Sequence, residues 1–309
     1  MKTVFIDGSA GTTGLRIRER LAARADISLI ILPEEKRKDT QARREALNSA
    51  DIAFLCLPDA AAIEAVSLID NSNTAVIDTS TAHRVNPAWA YGMPELAGKR
   101  AQIAASKRIA NPGCHASGFI ALVAPLVAAG VLSPDAALTA FSVTGYSGGG
   151  KNMIAAYGDS ARDALLDAPR QYGLSQSHKH LPEMSALCGL LVAPLFSPIV
   201  ADYYAGMEVT VPLFAKDVKG GAEAIRTVYR EVYGKGMIRY AEDDGEGGFL
   251  SAAAFAGRDD MEVRVLGNDA RILLVSRFDN LGKGASGAAI QNMNILLGVA
   301  ENTGLVTGE

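Results

Sequence analysis

Cysteine is scarce in this 309-residue chain: Cys56, Cys114 and Cys188 are the only three. Three thiols cannot build a disulfide framework, and an odd number fits a reducing compartment. Aromatic residues make up 6% of the sequence, with Trp89 the single tryptophan. Such a chain packs with small and branched side chains and brings its backbone close to neighbours and ligands. Neither sign of charge dominates, since 30 Lys and Arg face 34 Asp and Glu for a formal net charge of −4. Nucleic-acid binders are usually basic, so that partner is set aside. Long apolar runs are also missing. The longest, from Phe119 to Leu132, is interrupted by Pro125 and Gly130 and falls short of the roughly 18 residues a membrane span needs. The N-terminal MKTVFID reaches Asp7 after too short an apolar stretch for a signal-peptide core. The sequence therefore reads as a protein of the cytoplasm with no membrane partner.

What is present points to a globular chain of about two domains, with 49% hydrophobic and 21% charged residues. In the first third, Thr3–Ile6, Ile27–Leu32, Ile52–Leu57 and Ala75–Ile77 are short, branched and bounded by turn residues, as buried parallel strands are. Gly14, Ile17, Leu21 and Ala25 recur at helical spacing between the first two. This alternation predicts an α/β Rossmann-type dinucleotide-binding domain. An apolar helix over Ala116–Ala129 follows, then strand-like runs at LTAFSVTGY, MEVTVPLF, MEVRVLG and ARILLVSRF, with helical candidates at Asn152–Leu166 and Ala222–Tyr233. That part reads as an α+β domain with a mixed or antiparallel sheet and helices on one face. The boundary falls near Asn111–Cys114.

Gly8, Gly11 and Gly14 stand between the first strand and the first helix. A tight turn, backbone N–H groups free to approach a pyrophosphate and a helix start aimed at it are what such glycines supply. Ser9, Thr12 and Thr13 add hydroxyls. At the end of the second strand, Glu34 would accept from a ribose 2′-hydroxyl, as in NAD. Lys36, Arg37 and Lys38 would instead neutralise the 2′-phosphate of NADP. The sequence leaves this choice open.

Among the cysteines, Cys56 and Cys188 lie in apolar runs and read as core fillers. Cys114 follows Asn111-Pro112-Gly113 at the mouth of a helix, where free N–H groups favour a thiolate nucleophile. Its acid/base partner is sought among His83, His115, His178 and His180. His180, in SQSHKHLPEM, is the choice, with Glu183 orienting it. His115 adjoins Cys114 but points about 100° away from it on a helix. The His178/His180 pair lacks a third ligand cluster, so no metal is expected. Two further stretches suit anions. Gly145–Lys151 combines Ser147, Gly148 and three more glycines with Lys151, a nest for phosphate or carboxylate. Asp78–Arg84 ends the fourth strand, where Arg84 would clamp a phosphate.

GSAGTTG, DTSTAHR, YGMPEL, NPGC, GYSGGGK, HKHLPEM and DNLGKGASGAAIQNMN, in this order, run nearly end to end. Together they resemble the short form of the N-acetyl-gamma-glutamyl-phosphate reductase family, related in architecture to the aspartate-semialdehyde dehydrogenases. The resemblance implies NADPH-dependent reduction of the small anionic acyl phosphate N-acetyl-glutamyl 5-phosphate to its 5-semialdehyde in arginine biosynthesis. It maps the nucleophile, which forms a thioester, onto Cys114 and the acid/base onto His180. It implies Asn280 as a cofactor contact beside Gly8, Ser9, Gly11, Thr12, Thr13, Gly14 and Lys36, and Arg84, Ser147, Gly148, Lys151 and Glu183 around the substrate. It further implies an NADP-binding domain of residues 1–113 and 284–309, closed by the last helix. Residues 114–283 then form a catalytic domain that assembles a homodimer or homotetramer. His115 departs from the family, many of whose members carry tyrosine there. The competing expectation is a sister reductase acting on another acyl phosphate, such as aspartyl phosphate.

Overall fold

The computed structural model describes residues 1–243 and 245–308. They divide into two units, Met1–Pro112 with Ala285–Leu305, and Gly113–Gly284 with residues 306–308.

In the first unit β1 (Lys2–Asp7), α1 (Thr12–Ala22), β2 (Ile27–Ile30), α2 (Thr40–Ser49), β3 (Ile52–Leu55), α3 (Asp59–Ser67), β4 (Ala75–Asp78), β5 (Ala90–Tyr91), α4 (Lys99–Ala105) and β6 (Arg108–Ala110) follow one another. The strands form one parallel sheet in the order β2-β1-β3-β4-β6-β5. Side chains alternate across it. Val4, Ile6, Phe54 and Ile77 meet Ile17 and Leu21 of α1 and Ile103 of α4. Phe5, Ala53, Leu55 and Val76 meet Leu47 of α2 and Ala62 and Ala65 of α3. Both faces are covered, which is why these strands are apolar throughout. Gly14, Ile17 and Leu21 form the buried face of α1, but Ala25, expected on the same face, lies past the helix end and is exposed. The chain winds in opposite directions from β1 and β3, so the crevice between their carboxyl ends is the switch point where such sheets bind ligands.

The second unit contains α5 (Cys114–Ala128), β7 (Thr139–Gly145), α6 (Gly150–Gly158), β8 (Arg170–Gln171), α7 (Leu181–Cys188), β9 (Leu195–Ala201), β10 (Met207–Phe214), α8 (Gly221–Val232), β11 (Ile238–Tyr240), β12 (Met261–Gly267) and β13 (Arg271–Phe278). Its mixed sheet runs β11-β12-β13-β10-β7-β9-β8. The β12–β13, β13–β10 and β10–β7 pairs are antiparallel, and β7–β9 is parallel. Helix α5 lies on this sheet and is buried from His115 to Leu126. A Cβ on Gly118 would come within 2.6 Å of Val209 Cγ2, 2.7 Å of Ser276 Oγ and 2.8 Å of Phe278 Cε1, so glycine sets how closely the helix approaches. Pro125 has no N–H for the carbonyl of Ala121. The buried Tyr233 hydroxyl donates to that oxygen at 2.7 Å, and Tyr229 donates to Leu122 O at 2.6 Å.

Two expectations fail here for local reasons. The helix anticipated over Asn152–Leu166 stops at Gly158. The Asp159 and Asp163 side chains accept from the Ala161 and Leu165 N–H groups, turns that compete with helix. Strand β9 was not anticipated, because Pro198 interrupts the run LFSPIVA and removes a ladder donor.

After a π-helical turn, Gly282–Ser286, the chain returns to the first unit as α9 (Gly287–Leu297). Its Ala289, Ile290 and Met293 join the α1–α4 side of that core. Fully buried Gln291, Asn292 and Asn294 bond to Glu95, to Gly92 O and to Thr303 O. Residues 284–309 were assigned whole to the nucleotide domain. In the structure, Val306 N–H and Gly308 N–H bond to Asp259 and Asp260 of the second unit, and Glu309 lies outside the described residues.

Candidate active site

The glycine loop is built as its sequence requires. Gly8 has φ +86°, and a Cβ there would meet Cys56 O at 2.3 Å. A Cβ on Gly14 would meet Gly8 O at 2.5 Å. Gly11 is the N-cap of α1 and makes no side-chain cap, so the first-turn N–H groups face the loop unassisted. The Thr12 hydroxyl oxygen is buried with no partner among the described residues. Beside the loop lies a cavity of about 670 Å³ whose wall includes Gly8, Ser9, Arg18, Arg37, Lys38 and Glu34. Lys36, singled out from the sequence, is exposed and does not line it, although Glu34 and Glu35 of the same 3-10 turn do. Arg18, which sequence reasoning missed, reaches the cavity from α1, on a helix whose inward face alone had been counted. Asp7, at the end of β1, is buried and salt-bridged to Arg43 at 3.0 Å. Burial pushes its carboxyl above the usual range.

Cys114 opens α5 behind the N-cap Gly113 and is half-buried. The other two thiols contrast with it. Burial raises Cys56 to about 12 and lifts Cys188 well above its ordinary value, so both stay protonated at neutral pH. Glu183, buried on α7, accepts from the Gly113 N–H at 3.2 Å with one oxygen. Its other oxygen stands 4.0 Å from Nε2 of His180, the buried residue that starts α7. Glu183 therefore joins the turn before Cys114 to His180, the acid/base candidate. His178 accepts from the His180 N–H through Nδ1 at 3.2 Å, and the two rings meet edge to face at 4.7 Å. His115, which adjoins Cys114 in sequence, takes other partners. It is buried 5.5 Å from the His180 ring, with Nδ1 2.6 Å from Ser142 Oγ and Nε2 2.6 Å from Tyr172 OH. Ser142 and Tyr172 carried no sequence signal, since one is an inward strand serine and the other precedes a loop.

The remaining candidates separate. Ser147 is buried and accepts from Asn280 Nδ2 at 3.0 Å, while Asn280 Oδ1 accepts from Gly206 N–H at 2.9 Å. Asn280 and Ser147 thus belong to one hydrogen-bonded corner of the second unit. Gly148 and Lys151 are exposed, Lys151 in the first turn of α6. In the first unit Asp78 holds His83 Nδ1 at 2.6 Å and the Ser80 hydroxyl at 2.7 Å. His83 stacks on Trp89 at 4.0 Å. The Arg84 that follows is buried and donates to Asn111 O at 3.0 Å and Thr79 O at 3.1 Å. Among the described residues no group of three or more His, Cys, Asp or Glu is arranged to hold a metal ion, and no helix is long and apolar enough to cross a membrane.

A doubly wound sheet with a glycine turn, followed by a mixed-sheet unit that opens on a cysteine at a helix start, defines a class: nucleotide-dependent oxidoreductases of the semialdehyde dehydrogenase type. Comparison with known proteins agrees. The family described as semialdehyde dehydrogenase, NAD binding domain, matches residues 3–105, and semialdehyde dehydrogenase, dimerisation domain, matches residues 114–280. N-acetyl-gamma-glutamyl-phosphate reductase 2 of Nostoc sp. is 45% identical over 98% of both chains. N-acetyl-gamma-glutamyl-phosphate reductase of Brucella anthropi is 47% identical over 96% of this chain and 98% of that one. Aspartate semialdehyde dehydrogenase II of Vibrio cholerae shares the fold at 16% identity, with a TM-score of 0.71 over 96% of this chain and 98% of that one. The enzyme of Candida albicans, solved with NADP, does so at 16% and 0.70 over 98% and 100%. The chain belongs to the semialdehyde dehydrogenase family, and within it to the N-acetyl-gamma-glutamyl-phosphate reductases.

Proposed function

We propose that this protein reduces N-acetyl-glutamyl 5-phosphate to N-acetyl-glutamate 5-semialdehyde with NADPH, through a thioester on Cys114, as a step of arginine biosynthesis in the cytoplasm. The observation that carries the reading is Glu183, which links the Gly113 N–H before Cys114 to His180. A nucleophile and a proton-transfer group tied to one buried carboxylate are what acyl transfer needs.

The chemistry runs on the chain's own groups. The Cys114 thiolate attacks the acyl carbon, the C–O bond to phosphate breaks, and phosphate leaves with the electron pair. NADPH, when bound, supplies the hydride that reduces the thioester. His180 gives a proton to the tetrahedral oxyanion and takes it back as the C–S bond breaks, returning thiolate and releasing aldehyde. The first unit fits a phosphorylated dinucleotide. It offers a loop position without room for a Cβ, the partnerless Thr12 oxygen, and, besides the Asp7-paired Arg43, three cations, Arg18, Arg37 and Lys38, against the cavity. Gly8, Ser9, Gly11, Thr12, Thr13 and Gly14 would cradle the pyrophosphate, and Asn280 would serve the nicotinamide end. Lys151, Ser147, Gly148 and Arg84 remain the proposed holders of the anionic substrate. Arg84 acts while tied to two carbonyls, which preset its guanidinium. For the assembled protein we propose a homodimer or homotetramer joined through the second unit. On the sheet face opposite α5, Phe141, Leu195, Phe214 and Leu273 are exposed, which supports a second copy there.

Selective alkylation tests the nucleophile. In the native protein at neutral pH a small haloacetamide should modify one thiol per chain, and Cys114→Ser should abolish both that labelling and nearly all turnover while NADP still binds. Near-normal turnover of Cys114→Ser would remove the thioester route.

A further inference from the structure

We propose that the Tyr172 hydroxyl is a hydrogen-bond donor to the substrate oxygen that gains charge at Cys114, and that the buried Ser142–His115 pair is the positioning device that aims it. The inference rests on the acyl chemistry proposed above and adds a catalytic group to it.

The direction of each proton follows from what is buried. Ser142 is fully buried on β7, and His115 Nδ1, at 2.6 Å, is the one hydrogen-bond partner of its hydroxyl among the described residues. If His115 carried its proton on Nδ1, the serine oxygen would accept it and the serine's own proton would be buried without an acceptor. Donation from Ser142 to Nδ1 satisfies both groups. The neutral imidazole then carries its proton on Nε2 and gives it to the Tyr172 oxygen at 2.6 Å. That occupies the phenol as an acceptor, so its O–H proton is free to point away from His115. Burial lowers His115 to about 3, which keeps the ring neutral and this pattern intact at working pH. Burial, with the Cys114 charge close by, raises Tyr172 well above its ordinary range, so the phenol keeps its proton.

The phenol is also held from the backbone. Tyr172 N–H donates to Pro198 O at 3.0 Å. Four residues on, Gln176 sits at φ +55°, the one described non-glycine residue with a positive φ. Its amide donates to Phe196 O at 2.8 Å and accepts from Phe196 N–H at 2.9 Å. This side-chain clamp pins the loop from Tyr172 to His180 against β9. The His115 ring lies 5.2 Å from Phe196 in the same packing.

The test uses the full chain in the reverse direction, with N-acetyl-glutamate semialdehyde, NADP and phosphate. Tyr172→Phe should lower kcat by about a hundredfold to a thousandfold, the scale for one oxyanion donor. KM and Cys114 alkylation should change by less than about twofold, a split that a merely structural role does not produce. His115→Phe should cost as much, the double variant should cost no more than Tyr172→Phe alone, and His115→Gln should recover part of the loss. Nitrogen NMR of the histidine-labelled wild type should find His115 protonated on Nε2. Tyr172→Phe with kcat within twofold of wild type, or His115 protonated on Nδ1, overturns the proposal. If His115→Phe does not fold, Tyr172→Phe and the wild-type spectrum decide. A wild type that turns over no semialdehyde overturns the acyl chemistry and this inference together, whereas an active wild type with an unaffected Tyr172→Phe overturns this inference alone.

Discussion

Gly118→Ala separates the two forces acting on α5, the helix that carries Cys114. Helix propensity alone makes alanine better than glycine by about 1 kcal/mol in a helix interior. Packing acts the other way. The added carbon would stand 2.6–2.8 Å from Val209, Ser276 and Phe278, against the roughly 3.5–4.0 Å of a relaxed contact. All three neighbours are buried in the sheet under α5, so relief requires the helix to rise by about 1 Å. Overpacking of this kind costs about 1–3 kcal/mol. With three contacts at once the cost lies in the upper part of that range, leaving a net loss of about 1–2 kcal/mol. Urea unfolding read by circular dichroism should show a midpoint lower by about half a molar. Cys114 lies one helical turn away, so the same displacement should reduce kcat, by up to about 100-fold for a misplacement of this size. An unchanged or raised midpoint with wild-type kcat would refute the claim that the glycine fixes the position of α5.

Tyr233→Phe should destabilise the chain by about 1–3 kcal/mol in the same assay, because it strips the donor from the Ala121 carbonyl that Pro125 leaves unserved. Adding Pro125→Ala should return part of that loss, since it restores an N–H, and no recovery would mean the tyrosine acts by bulk alone. Arg18→Ala and Arg37→Ala should each raise KM for NADPH by about tenfold and leave KM for NADH nearly unchanged, as loss of a cation facing a phosphate predicts. Equal effects on both nucleotides would place the 2′-phosphate elsewhere. Asp51 accepts from Thr3 N–H and is paired with Lys2, contacts that hold its carboxyl at about 2. Its folded value is below the unfolded one, so its stabilisation is complete above about pH 4 and is lost as pH falls through 2. Asp51→Asn should therefore be less stable than wild type at pH 7, with the difference gone near pH 2. A difference that persists there would exclude the ionised carboxylate as its source.

The elements legible in the sequence were those whose pattern is local. Buried strands β1, β3 and β4 show continuous apolar runs because helices cover both faces of their sheet. The positions of Gly8 and Gly14 follow from a turn that excludes a Cβ. Cys114 stood out because Pro112 and Gly113 mark a helix start in the sequence itself. What escaped depends on partners distant in sequence. Ser142 and Tyr172 gain meaning only when β7 and the loop after β8 reach His115, and Arg18 only when the ends of β1 and β2 form a cavity wall. Lys36 looks equivalent to Arg37 and Lys38 in the sequence, but of the three only Arg37 and Lys38 line the cavity. The polar side chains of α9 also needed distant partners to be read. In the structure they are largely occupied in bonding the buried helix to the loops and chain end around it.

One steady-state comparison in the reverse direction decides which acyl phosphate this protein reduces. The wild-type protein is given N-acetyl-glutamate semialdehyde or aspartate semialdehyde, with NADP or NAD, with and without phosphate. Phosphate-dependent formation of NADPH with the N-acetylated substrate is expected, with a much smaller kcat/KM for the aspartyl compound. A clear preference for aspartate semialdehyde, or turnover that does not need phosphate, would contradict the proposed reaction.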